Sequence, residues 1–159
     1  MIAVLDNVRS IFNTGSIFRT ADALGVEKIY LCGLTPSPLD KLGRVRLKFI
    51  KTSLGSEKSV PFEKRVSTVR VLDKLKKEGY KILAIEQYPS SAPYYSLSST
   101  VYSLKEVALV VGHEVRGLSQ AVLKKADKIL EIPMAGTKES LNVAIAFSIV
   151  AYELKYGRK

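Results

Sequence analysis

The sequence predicts an α/β protein with an open, mostly parallel β-sheet that is covered by helices on both faces. Strand-like and helix-like segments alternate along the chain. Several of the strand-like segments are continuously apolar, which is typical of strands buried on both sides. A chain of 159 residues is long enough for one compact domain, and we expect residues 1–159 to form a single domain.

The first half of the chain begins with a short predicted strand at residues 2–5. Turn and cap residues at 6–16 precede a predicted helix, which has apolar positions at helical spacing and ends at Gly25. A second strand is predicted at residues 27–32. Residues 44–51 (RVRLKFIK) alternate charged and apolar side chains and favour an exposed strand, and the segment after them is interpreted as a loop or short helix.

The second half contains further strands and helices in alternation. Its predicted strands are residues 81–86, 107–112 and 129–133, and its predicted helices are residues 69–79 and 118–126 with a long helix at the end. A loop rich in Ser, Tyr and Pro is expected at residues 88–103. Ligands of open α/β sheets bind at the carboxyl ends of the strands. Polar loops follow the strands at Glu86, at residues 112–119 and at residues 134–140, and these predict the ligand site.

The final stretch, residues 132–153, joins a short apolar strand, a glycine turn and a long helix with two apolar faces. One face comprises Leu141, Ala144, Ile145, Ser148, Ile149 and Tyr152, and the other comprises Val143, Phe147, Val150 and Leu154. A helix that is apolar on two faces must be covered twice, which favours packing on the protein's own sheet and on a second subunit. The alternative is a central core helix in a monomer.

The formal net charge of +10 is concentrated in one part of the chain. Residues 41–81 contain 13 Lys and Arg side chains against 4 Asp and Glu side chains. This concentration favours a surface that binds a polyanion such as nucleic acid, and the alternative is a solvated basic face.

Single cysteine and histidine residues exclude several classes of site. Cys32 is the only cysteine, so the chain has no intrachain disulfide, and its apolar neighbours predict a buried thiol. His113 is the only histidine, which argues against a zinc site of several His and Cys ligands and against a Cys–His catalytic pair. We expect no metal. The sequence has neither a membrane-spanning segment nor a signal-peptide pattern, so a cytoplasmic protein is expected.

Two motifs carry polar side chains at the ends of predicted elements. GHEVRGLS at residues 112–119 lacks the second glycine of a dinucleotide-binding fingerprint, but it offers a carboxylate at Glu114 between two glycines. NTGSIFR at residues 13–19 places an amide near a helix start and a guanidinium at Arg19. Taken singly, the first motif could be a generic turn, and Arg19 could pair with Asp22.

Together with IPMAGTKESLNVAIA at residues 132–146, these two motifs resemble, in order, the three motifs of the SpoU (TrmH) branch of the SPOUT RNA methyltransferases. The likeness spans almost the whole chain. It implies an S-adenosylmethionine-dependent RNA 2′-O-ribose methyltransferase that acts as a homodimer. It also implies a deep trefoil knot at the C-terminal end, although knots are nearly absent from other proteins.

The resemblance further implies which residues form the site. The positions that match the family's cofactor loops are Ile85, Glu86, Gly112, Ile132, Met134, Ser140 and Leu141. The positions that match its polar residues around the reacting centre are Asn13, Arg19, Glu114, Ser140 and Asn142. Arg19 corresponds to the residue that handles the ribose hydroxyl. A guanidinium pKa above roughly 12 is too high for a general base, so we expect Arg19 to stabilise the developing alkoxide or the adjacent phosphate.

The first motif begins almost at Met1, so RNA capture is expected to depend on the domain itself and on its basic region. The expected phosphate contacts are Arg44, Arg46, Lys48 and Lys51. We expect tRNA as the substrate, with rRNA next. The alternatives are a non-catalytic RNA-binding or assembly protein that retains the fold, and a nucleotide-binding enzyme of another α/β family.

Overall fold

A computed structural model of the chain describes residues 1–97 and 104–157. Within these ranges, seven parallel strands form one sheet in the order β3-β2-β1-β6-β4-β7-β5. The strands are β1 Ile2–Asp6, β2 Lys28–Cys32, β3 Phe62–Arg65, β4 Lys81–Ile85, β5 Ala92–Pro93, β6 Val107–Val111 and β7 Lys128–Glu131. The α-helices are α1 Ile11–Leu24, α2 Leu47–Ser53, α3 Thr68–Lys77, α4 Gln120–Leu123 and α5 Val143–Tyr156.

Helices cover both faces of the sheet, which confirms the predicted fold class. Alternate residues of each central strand point to opposite faces. One hydrophobic cluster joins one set of these side chains to α1, α2 and α5, and the second cluster joins the other set to α3 and α4. Cys32 is fully buried in the second cluster, as its apolar neighbours predict.

The strand order brings the polar loops together. From β1 the chain runs outward through β2 to β3, and it then crosses to β4 on the other side of β1. Because all the strands are parallel, the loops that follow them emerge at one edge of the sheet. β6 lies between β1 and β4, an order consistent with the C-terminal knot that the resemblance implies.

Three local expectations need correction. Residues 44–51 do not form an exposed strand, because α2 begins at Leu47 and only Phe49 among its apolar side chains is fully buried. The segment at residues 52–62, expected as a loop or short helix, contains a 3₁₀ turn at Ser56–Lys58, but β3, which the sequence did not predict, begins at its last residue, Phe62. α1 begins at Ile11 rather than after residue 16, because the Ser10 hydroxyl caps it by accepting a hydrogen bond from the Asn13 backbone N–H.

The packing of α2 on α1 explains the glycine of the NTGS sequence. A Cβ atom on Gly15 would lie 2.9 Å from the backbone oxygen of Phe49 and 3.2 Å from the backbone nitrogen of Ser53. Only glycine therefore lets the two helices approach this closely. The ring of Phe49 then contacts that of Phe18 edge to face, with 5.1 Å between the ring centroids.

The remaining expectations of secondary structure differ from the structure in smaller ways. The helices predicted at residues 69–79 and 118–126 are present as α3 and as the shorter α4. In the segment expected as a loop, residues 92–93 form β5 and residues 94–96 a 3₁₀ turn, while its last part, residues 98–103, lies outside the described residues. No helix among the described residues is long and apolar enough to cross a membrane.

Candidate functional site

The loops that follow β4, β6 and β7 enclose a cavity of about 280 Å³ at the carboxyl edge of the sheet. All seven residues predicted to hold the cofactor line this cavity, namely Ile85, Glu86, Gly112, Ile132, Met134, Ser140 and Leu141. Glu114, in the loop after β6, and Val143, at the start of α5, also line it. The structure therefore brings three segments that are distant in sequence to one concave site.

The charged groups of this cavity are mostly acidic, although the protein as a whole is strongly basic. Four carboxylates line it, from Glu86, Glu114, Glu131 and Glu139. Within the part of the chain that the structure describes, no lysine or arginine does so. Apolar side chains such as those of Ile85, Leu130 and Ile132 form the rest of its wall. The cavity is therefore suited to a partly apolar ligand that carries positive charge.

Two glycines allow the loop after β6 to fold back on itself beside the cavity. A Cβ atom on Gly112 would lie 2.8 Å from the backbone of Gly117 and Leu118, so a larger residue cannot fit without a backbone shift. Gly117 has a φ of +62°, in the left-handed region that favours glycine. The carboxylate of Glu86 fixes the turn by accepting a hydrogen bond of 2.7 Å from the Leu118 backbone N–H.

Glu114 ties this loop to the start of α1. Its carboxylate accepts hydrogen bonds of 3.0 Å from the backbone N–H groups of Arg9 and Ser10, and one of 2.9 Å from the side-chain amide of Asn13. Burial raises the pKa of Glu114, but these hydrogen bonds outweigh that effect, and the net pKa lies below its usual value. The side chain is therefore an anion that positions the loop, rather than a proton donor at neutral pH.

Asn142 extends the same network to α5. Its side-chain amide donates a hydrogen bond of 3.0 Å to the side-chain oxygen of Asn13. Its own side-chain oxygen caps α5 by accepting hydrogen bonds from the backbone N–H groups of Ala144 and Ile145, at 2.9 and 3.4 Å. Four of the five predicted residues of the reacting centre therefore lie together. Ser140 and Glu114 line the cavity, and Asn13 and Asn142 lie next to it in the hydrogen-bond network.

Arg19 is the predicted site residue that the structure does not bring to this cavity. Its side chain is exposed on α1 and lines neither this cavity nor the second one described below. The alternative pairing with Asp22 is also not formed, since the carboxylate of Asp22 accepts a hydrogen bond from the Ser59 hydroxyl instead.

A second cavity, of about 460 Å³, lies beside the first on the β1 side of the sheet edge; we call it the arginine groove. It is lined by Asp6, Asn7, Arg9, Leu34, His113, Arg116, Gly117 and Ser119. His113 and Gly117 line both cavities and so form a shared wall. The sequence reasoning missed Arg9 and Arg116, although Arg116 stands inside the GHEVRGLS motif and Arg9 in the turn before α1.

Residues 1–152 match the family model described as the SpoU rRNA Methylase family. The chain belongs to the SpoU family. The match covers all three of the motifs that the sequence analysis identified, and residues of the second and third line the cavity together with the loop after β4.

Relatives within the SpoU family differ in length, and some are associated with rRNA and others with tRNA. The chain is 32% identical to the 23S rRNA (guanosine(2553)-2′-O)-methyltransferase RlmP of Bacillus subtilis, over 97% of this chain but only 57% of that protein. An AdoMet-bound rRNA methyltransferase from Sinorhizobium meliloti superposes with a TM-score of 0.84 at 31% identity, over 96% of this chain and 54% of that one. A structure described as giving insights into the 2-OH methylation of C/U34 on tRNA superposes with a TM-score of 0.78 at 28% identity, over 98% of this chain and 94% of that one.

The four basic residues predicted to contact RNA lie away from both cavities of this SpoU chain, and all are exposed. Arg44 pairs with Asp40 at 2.9 Å, and Arg46 donates a hydrogen bond to the backbone oxygen of Leu39. Lys48 and Lys51 lie on α2 and have no ion pair within the described residues. No group of three or more potential metal ligands occurs in the part of the chain that the structure describes.

The last helix of this SpoU chain presents one covered face and one open face. Phe147, Val150 and Ala151 are fully buried against the sheet and α1. On the other side, the exposed fractions are 53% for Ile145 and 45% for Tyr152. The hydroxyl groups of Thr20 and Ser148 lie 2.8 Å apart, so α1 and α5 pack side by side next to this open face.

Proposed function

We propose that this chain is an RNA 2′-O-ribose methyltransferase that uses S-adenosylmethionine, and that residues 1–159 form one methyltransferase domain in the cytoplasm. The observation that carries the proposal is the acidic cavity, because all seven predicted cofactor residues converge on it from three separate loops. The family and the AdoMet-bound relative support the same chemistry.

The charge and the apolar wall of the cavity complement S-adenosylmethionine. The cavity volume of about 280 Å³ is near that of the smaller ligand pockets in proteins, which begin at roughly 300 Å³. Its four carboxylates complement a cationic sulfonium and a cationic amino group, and its apolar wall suits an adenine ring. When bound, S-adenosylmethionine supplies an electrophilic methyl group.

The residues around the cavity have separate roles in this proposal. The ribose hydroxyl must lie in line with the methyl group and lose its proton as it attacks. Asn13 and Asn142 orient the loops and the acceptor, and Glu114 holds the start of α1 against the second motif. Ser140 contacts the cofactor at the cavity wall. Arg19 stabilises the developing ribose alkoxide or the adjacent RNA phosphate. The proton of the ribose hydroxyl passes to that phosphate.

We further propose a homodimer, in which the open face of α5 packs against a second copy. Large exposed apolar side chains such as Ile145 and Tyr152 favour this contact. Arg19 lines neither cavity of its own protomer, and it lies on α1 beside this face. We therefore assign Arg19 to the site of the partner subunit.

The substrate is proposed to be tRNA, with rRNA next. The similar structure that concerns 2-OH methylation of C/U34 on tRNA supports tRNA, and the similar rRNA methyltransferase of B. subtilis supports rRNA. RNA phosphates are proposed to contact the exposed basic side chains near α2, namely those of Arg44, Arg46, Lys48 and Lys51. Reversing all four charges should weaken RNA binding and reduce its dependence on salt.

Transfer of a labelled methyl group tests the proposed activity. The protein is incubated with labelled S-adenosylmethionine and with transcribed tRNA or rRNA, and the methylated nucleotide is identified by mass spectrometry. We expect a 2′-O-methylated nucleotide. RNA binding without any transfer would instead support the non-catalytic alternative, and the lack of cofactor binding in calorimetry would support a nucleotide-binding enzyme of another family.

Mixed dimers test the placement of Arg19. Arg19→Gln and a cofactor-loop variant, Gly112→Val, should each be inactive alone. A heterodimer of the two has one site with an intact cofactor loop and the arginine of the partner subunit, so it should have about half of the activity of a wild-type dimer. A 1:1 mixture that pairs at random is about half heterodimer and should therefore show about a quarter of wild-type activity. If Arg19 acts within its own protomer, the mixture stays inactive.

A further inference from the structure

We infer that the arginine groove holds a phosphate of the RNA strand next to the target ribose, between the side chains of Arg9 and Arg116. This inference rests on the proposed function, which places the target ribose at the acidic cavity. The phosphates on either side of that ribose must then lie outside the cavity, next to its wall. The groove borders that cavity through His113 and Gly117, so a nucleotide can span the shared wall.

Both guanidinium groups are available to a ligand. The side chains of Arg9 and Arg116 are exposed, and neither makes an ion pair or a side-chain hydrogen bond within the described residues. The one carboxylate of the groove, Asp6, is 5% exposed and accepts hydrogen bonds from the Asn7 amide and the Thr68 hydroxyl. Asp6 therefore belongs to the floor of the groove, and the two arginines supply its accessible charge.

The segments that carry the arginines are fixed in place. The backbone N–H of Arg9 donates to Glu114, and Arg116 lies only two residues beyond that carboxylate. Asn7, which has a φ of +57°, holds the neighbouring turn because its side-chain oxygen accepts a hydrogen bond of 3.0 Å from the Leu34 backbone N–H. One carboxylate thus sets the spacing of both arginine-bearing loops, and little ordering is needed when an anion binds.

His113 adds a hydrogen-bond donor at the shared wall. Its Nδ1 atom accepts hydrogen bonds of 3.0 and 3.2 Å from the backbone N–H groups of Val115 and Arg116. The ring hydrogen is consequently on Nε2, which can donate to a phosphate or ribose oxygen.

The two cavities carry opposite charges, and these match the opposite charges of the cofactor and the RNA backbone. The cofactor is cationic and matches the carboxylates of the first cavity. A phosphodiester is anionic and matches the two arginines of the groove. This arrangement directs each ligand to its own side of His113 and disfavours binding of RNA phosphate in the cofactor cavity.

Charge-neutralising substitutions test the inference on the full chain. Arg9→Gln, Arg116→Gln and the double variant are compared with Lys124→Gln, which removes one positive charge at the end of α4, where the chain leads into the amino end of β7. Affinity for a pool of transcribed tRNA is measured between 50 and 200 mM salt, roughly the range over which phosphate contacts are sensitive. Affinity for S-adenosylmethionine is measured by calorimetry.

We expect each arginine substitution to weaken RNA binding and to lower the salt slope by about one, while cofactor affinity and the Lys124→Gln control stay at wild-type values. An unchanged salt slope in the double variant would overturn the inference, and so would a loss of cofactor affinity, which would assign the arginines to the cofactor. Methyl transfer by the wild-type protein is scored separately. Its absence would count against the proposed function, whereas an unchanged slope in an active enzyme would count only against the groove.

Discussion

The side-chain amide of Asn142 donates a hydrogen bond of 3.0 Å to the side-chain oxygen of Asn13, 129 residues away in the sequence. The amide of Asn13 in turn donates to Glu114. Both ends of the Asn13 side chain are therefore engaged, and its orientation is determined by the two neighbours together. The first, second and third SpoU motifs meet in this one chain of hydrogen bonds.

Asn142→Asp should separate the capping role of this residue from its role at the site. An aspartate still caps α5 and its charge is favourable at a helix N-terminus, so stability should stay within about 0.5 kcal/mol of wild type. It cannot donate to Asn13, and we expect methyl transfer to fall about tenfold or more. Asn142→Ala should cost about 1 kcal/mol of stability in addition, measured by urea unfolding. Full activity in Asn142→Asp would contradict the link to Asn13.

Glu114→Gln should change how stability depends on pH. The pKa of Glu114 in the folded protein is below the ordinary value of 4.5, so the carboxylate contributes stability that is present above pH 4.5 and is lost as pH falls through the lower folded value. The variant should be less stable than wild type at pH 7. The difference between the two should shrink below pH 4.5, measured as urea midpoints at several pH values. If the stability difference between wild type and Glu114→Gln does not change with pH, the ionised carboxylate of Glu114 is not its source.

Gly112→Ala should disturb the cofactor cavity. Its Cβ atom would meet backbone atoms of Gly117 and Leu118 at 2.8 Å, and backbone cannot move aside as a flexible side chain can. We expect a stability loss of roughly 1–3 kcal/mol together with weaker cofactor binding in calorimetry. Gly136→Ala is the matched control, because no atom lies within 4 Å of a Cβ at that position. Equal behaviour of the two variants would refute the packing argument.

Cys32 should be unreactive in the folded protein. Burial raises the pKa of its thiol to about 11, so only about one molecule in a thousand carries the thiolate at pH 8. Ellman's reagent should therefore give no signal at pH 8 until guanidinium chloride unfolds the chain, after which one thiol per chain should react. Stoichiometric labelling under native conditions would show that the second hydrophobic cluster opens readily.

The sequence was most informative for segments whose side chains are all apolar and can only be buried. The apolar run of β6, Val107–Val111, is fully buried, and its continuous pattern predicts that result. The alternation at residues 44–51 was misleading because Val45 and Leu47 are exposed, and Phe49 is the only fully buried apolar side chain of α2. β3 was missed because it is an edge strand of mixed polarity, whose sequence is FEKR.

The candidate site was partly predictable for a related reason. Residues such as Asn13, Glu114 and Asn142 stand in motifs whose spacing resembles the family, so the sequence identified them before their contacts were visible. Arg9 and Arg116 have no such pattern. They form a pair only because Glu114 bonds to residues 9 and 10 across more than 100 positions of the chain. Pairs of this kind depend on the fold and are not visible in local sequence.

The hydrogen bonds of Glu114 and Asn142 also have a consequence for how the protein is made. They connect residues 101 to 129 positions apart, and the lining of the cavity extends to Ala146 in the last helix. During synthesis, no nascent chain can assemble the cavity until Ala146 has left the ribosome. Contacts of such long sequence separation also close slowly. Cofactor binding should therefore appear only after the third motif has emerged and has packed against the first two.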